Sequence, residues 1–90
     1  MIIRICSEDK GNMRAVIALT EYYFDCFTII DGFGYWKGES ELSFTIEIAV
    51  LDNNEGQADR FARQLAAEIK VLNKQEAVLI EYIDSLNVLV

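Results

Sequence analysis

Glu39 and Glu41 are two apart, so on any extended segment they share a side and, with Asp31, would offer hard oxygen ligands to a cation. Acids at this spacing in a turn are ordinarily just solvated, so no metal site is expected. Cys6 is a second place where chemistry could start, with Ser7 and Lys10 close behind it. A thiol nucleophile needs a base, however, and the chain contains no histidine. That absence also removes the usual metal ligand and pH switch, so the expectation is a non-enzymatic protein with no cofactor. The segment Gly32 to Gly38 is the most distinctive: three glycines and the aromatics Phe33, Tyr35 and Trp36 lie within seven positions. Its spacing matches no phosphate-binding loop, and no helix start follows it. Tyrosine and tryptophan are enriched at interface hot spots. Phe33, Tyr35, Trp36, Glu39 and Glu41 therefore form the expected partner-binding patch. The other reading is packing, with neighbouring aromatics on opposite faces, one over the core and one over the open sheet.

These residues need elements to position them. Ile2 to Cys6 is a β-branched run that ends in the polar loop Ser7 to Asn12. Met13, Val16, Ile17, Thr20, Phe24 and Phe27 then recur at helical spacing, with Asn12 as the N-cap. Phe27 to Ile30 is a second strand, and the glycine-aromatic segment reads as the connection to a third. Leu42, Phe44, Ile46, Ile48 and Val50 alternate with mostly polar neighbours, the clearest period-two pattern in the chain. Asp52 to Gly56 breaks that strand and offers caps for a second helix, whose stripe is Ala58, Phe61, Ala62, Leu65, Ile69 and Leu72. Asn73-Lys74-Gln75 closes it, Glu76 to Ile83 is the fourth strand, and 84–90 is a candidate short edge strand.

The order strand, helix, strand, strand, helix, strand predicts an α+β, ferredoxin-like βαββαβ sandwich, with a four-stranded antiparallel sheet and both helices on one face. Right-handed crossovers put the first and third strands in the centre. Ninety residues, 52% of them apolar, suffice for a single domain spanning 1–90 and for no second core. Alternation then sends Ile2, Arg4, Glu47, Leu79, Glu81 and Ile83 to the open face, with Arg4 between Glu47 and Glu81. That face is apolar enough to favour packing against another copy, so a homo-oligomer, dimer or trimer, is expected.

The net charge of −7 argues against direct contact with nucleic acid or an anionic membrane. Charge is also uneven, because residues 15–59 hold one lysine, Lys37, against nine acids. An acidic band of this kind steers a basic protein partner, such as a nucleic-acid-binding protein. The apolar start is interrupted by Arg4 and does not read as a signal peptide, and no apolar run is long enough to span a membrane. Cys6 and Cys26 match no disulfide framework or CxxC motif. A cytoplasmic protein is expected.

The Asp9-Lys10-Gly11-Asn12 loop resembles a feature of small phage- and mobile-element-type proteins. So do the Phe27-Thr28, Gly32, Gly34, Trp36, Gly38, Glu41 signature and the late strand Gln75 to Tyr82. That resemblance implies a protein-binding accessory role, in the manner of an anti-CRISPR inhibitor acting through an acidic surface. The βαββαβ order is also similar to PII-like signalling and CutA-type proteins, which are typically trimers binding small ligands or metal between subunits. That likeness implies an oligomeric small-ligand or metal sensor as the alternative function. The chain departs from those families in having a connection of about seven residues between the second and third strands, with no matching basic ligand-binding residues.

Overall fold

The computed structural model describes residues 1–88, and Leu89 and Val90 lie outside the described residues. β1 (Ile2–Glu8) leads into α1 (Met13–Tyr23), β2 (Thr28–Trp36) and β3 (Glu39–Ala49). A single 3-10 turn, Asp52–Asn54, then leads into α2 (Glu55–Leu72) and β4 (Leu79–Ile83). The strands order as β2-β3-β1-β4, each pair antiparallel. The fold is ferredoxin-like, and the central pair is the one that right-handed crossovers require.

The core follows from strand parity. Ile3 and Ile5 of β1 and Phe44, Ile46 and Ile48 of β3 are buried, as are Ala58, Ala62, Leu65, Ala66 and Ile69 along α2. α1 contributes Val16 and Thr20, whose hydroxyl returns a 2.8 Å hydrogen bond to the Val16 carbonyl and so is satisfied in an apolar setting. The helices meet through aromatic edges, with Tyr23 and Phe24 at 5.6 and 6.2 Å from Phe61.

Several boundaries differ from the sequence reading, each for a local reason. α1 stops at Tyr23, and Phe24 is its extended C-cap. The Asn12 side chain does not cap α1 but reaches across to Asn73, donating to its Oδ1 at 2.6 Å. β4 begins only at Leu79, where pairing with Cys6 becomes possible. Residues 84–88 form no strand. The Asn87 amide instead donates to the carbonyls of Met1 and Val50, tying the tail across the first residue and the end of β3.

The largest difference concerns the second and third strands. The connection between them is two residues, not seven, because β2 continues through the whole glycine-aromatic segment to Trp36. Lys37 and Gly38 form the turn with φ of 51° and 82°, the paired positive φ that two-residue hairpin turns demand. β1 pairs with β3 only as far as Ser43, opposite Glu8. Beyond that point β2 and β3 run on as a two-stranded arm.

Candidate functional site

The arm spans Phe33–Trp36 paired with Glu39–Leu42. Leu42 belongs to the alternating apolar series but is exposed, since β1 ends opposite Ser43 and only the Asp9 N–H, 2.8 Å from the Leu42 carbonyl, reaches further. Tyr35 and Trp36 do lie on opposite faces, as the packing alternative drawn from the sequence has it, but neither caps the core. Phe33 is 72% exposed, Tyr35 78%, Trp36 63% and Leu42 59%, a cluster of large apolar side chains in water. The register sorts them: Phe33, Tyr35 and Leu42 share the face that further along the sheet meets the helices, and Trp36 stands on the open face. Lys37 Nζ lies 5.7 Å from the Trp36 ring centroid, a cation–π contact at the tip.

Glu39 and Glu41 do share the open face, opposite Trp36 and Gly34. Asp31 pairs with Phe44 and so points to the other side, which separates the three acids as a cation site. Among the described residues no three metal-ligating side chains converge.

On the open face of the sheet body, the register places Arg4 opposite Glu47 on one side and Glu81 on the other. Arg4 Nε donates to Glu47 Oε1 at 2.7 Å. Glu81 instead accepts from Cys6 Sγ at 3.7 Å, and Thr45 Oγ1 donates to the same sulfur at 3.6 Å. Burial pushes the Cys6 thiol up from its ordinary value, with the Glu81 carboxylate adding to the shift. A protonated thiol is a poor nucleophile. Ile2 and Ile83 flank the pair half-buried, while Leu79 is exposed.

Two features were not visible from spacing. At one end, Asn73 Nδ2 donates to the Glu8 carbonyl at 3.1 Å and to Ser7 Oγ at 3.4 Å, and Ser7 Oγ also donates to Gln75 Oε1. Asn12 and Asn73 read as caps of separate helices, and nothing in their spacing joins them. At the other end, a cleft of about 680 Å³ opens between the end of α1, the end of β3 and the start of α2, with Phe24, Val50, Phe61 and Leu86 on its walls. Its size suits a small ligand. The Asn87 amide there, however, already donates to two backbone carbonyls.

No family model and no curated protein matches this chain. Among solved structures, the de novo designed protein Foldit4 superposes with a TM-score of 0.54 at 16% identity, covering 94% of each chain. CutA1 from Pyrococcus horikoshii superposes with a TM-score of 0.43 at 18% identity, over 97% of this chain and 87% of that one. The first likeness is one of fold alone. Among the described residues no helix is long and apolar enough to cross a membrane.

Proposed function

We propose that this protein is a protein-binding module whose working element is the β2–β3 arm. The observation that carries this reading is the exposure of Phe33, Tyr35, Trp36 and Leu42 on a two-stranded ribbon that no other strand flanks among the described residues. Such ribbons are marginal by themselves in water, and apolar patches of this kind mark interaction sites. Aromatic side chains supply contact area at low entropic cost, which suits the arm to docking. The chemistry supports binding over catalysis: burial pushes the Cys6 thiol up, and the nearest carboxylates are engaged with Arg4 or with the thiol itself.

The test is retention of partners from cells that produce the protein, comparing the native chain with the Phe33→Ser, Trp36→Ser double variant. Both substitutions lie outside the core, so the variant should melt within a few degrees of the native chain. The reading expects the retained protein to be lost with the arm aromatics. Retention unchanged by the double variant contradicts it.

A further inference from the structure

Glycine inside a strand carries an entropic cost and offers no side chain to pack. β2 nevertheless has two, Gly32 and Gly34, both on the open face. Neither has a positive φ, so backbone conformation does not call for glycine at either place. Nor does crowding within the chain: a Cβ on Gly32 would sit 3.9 Å from Ser43 Oγ, and one on Gly34 would meet nothing closer than 3.6 Å. Those are ordinary van der Waals contacts. What the glycines create is a stretch without side chains between Ile30 and Trp36, over which Ser43 and Glu41 of β3 can be reached from beyond the edge.

β2 is that edge. Its outer N–H and C=O groups have no backbone partner among the described residues. Proteins usually protect such edges with proline, lysine or a bulge. Here the chain has no proline, and Asp31 is the one charge along the nine residues of β2. The arm is also electrostatically one-sided. Asp31, Glu39 and Glu41 form no ion pair among the described residues, and Lys37 lies over Trp36.

From this placement we infer that the free edge of β2 takes up an extended segment of a partner protein as a fifth strand, one in which basic residues alternate with apolar ones. The inference rests on the arm being the docking element and specifies how it docks. Strands lie about 4.8 Å apart, so a segment paired to β2 runs about 9.6 Å from β3. A lysine or arginine on its open-face side spans that distance across Gly34 to the Glu41 carboxylate. The alternate side chains meet Phe33 and Tyr35 on the opposite face. Backbone pairing supplies the affinity, while the glycine gap and the two aromatics set the pattern.

Trp36 is the sole tryptophan, so its fluorescence reads the arm directly. The probe is a synthetic peptide of the length of β2, alternating lysine with valine and tyrosine, titrated at physiological salt. Beside it run a scrambled peptide of the same composition and two peptides N-methylated along one backbone edge or the other. Strand addition expects the alternating peptide to bind at least about tenfold more tightly than the scrambled one, and methylation to abolish binding on one edge only. Gly34→Thr fills the gap with a strand-favouring residue. It should weaken the alternating peptide by about tenfold or more while leaving the melting temperature equal or higher.

Equal binding of scrambled and alternating peptides, indifference to methylation, or a neutral Gly34→Thr each overturns the inference. If methylation and Gly34→Thr change nothing but Phe33→Ser still abolishes binding, strand addition falls and the docking arm stands. Binding indifferent to all three removes both. A concentration-dependent dimer that Gly34→Thr dissolves gives the edge to a second copy and overturns the basic segment.

Discussion

Lys37 and Lys74 hold φ of 51° and 52°, a region where side chains other than glycine and asparagine are costly. Lys74 follows Asn73, the C-cap of α2, in the manner of a Schellman motif, with Lys74 N–H donating to Val71 O at 3.3 Å and Gln75 N–H to Lys70 O at 3.0 Å. Lys74→Gly should therefore stabilise the protein by about 0.5–1 kcal/mol, read as a shift in the urea midpoint. Asn73 carries the opposite prediction. Buried at 3% exposure, it holds the Glu8 carbonyl, Ser7 and Asn12 together across the β1–α1 loop. Asn73→Ala leaves those groups without their donor or acceptor and should cost about 1–3 kcal/mol in the same measurement. The sequence announced both residues only as a helix stop. The signal for a cap is local, whereas the partner of Asn73 lies 61 positions away and depends on the fold having closed.

Elements extend this pattern. Alternation in β3 was legible because Phe44, Ile46 and Ile48 all face one core, and the same logic correctly placed Arg4 between Glu47 and Glu81. Leu42 sits in the same series, yet its exposure was invisible, since the pattern does not say where the neighbouring strand ends. Glycine content likewise made β2 look like a loop, although its glycines are extended and the turn is only Lys37-Gly38. Backbone amide exchange should separate the two parts of the hairpin. Protection near the global value is expected at Ile46, and much faster exchange from Phe33 to Leu42, where two strands stand without a third.

The contact between α2 and β4 has its own pH signature. The Tyr82 hydroxyl donates to Asp59, and that bond, aided by Arg63, holds the Asp59 carboxyl below its ordinary value. Burial first, and the same bond second, push the Tyr82 phenol up. A depressed carboxyl contributes stability above its unfolded value and loses it as pH falls through the folded one, so this part fades below about pH 4. A raised phenol contributes below its unfolded value and loses that contribution as pH rises through the folded one, above about pH 10. Tyr82→Phe should flatten both limbs of the stability profile, which urea midpoints across that range would show.

At the scale of the molecule, the ferredoxin-like body packs one side of each helix on the sheet, and the β2–β3 arm is the part that stands clear of that core. The arm carries three aromatics and Leu42 in water, with Gly32 at its base and Gly34 within it, and an acidic cast from Glu39 and Glu41. Order of elements and parity were enough to reach the body from sequence. The glycine-aromatic segment stood out by residue type, but its shape as a projecting ribbon follows from β1 stopping at Glu8. The most direct test of the arm as docking surface places a photoreactive side chain at Phe33, or at Arg60 on the exposed side of α2, and irradiates cells producing each form. The account predicts a discrete protein adduct from position 33 and none from position 60. Adducts from position 60 with none from position 33 would contradict it.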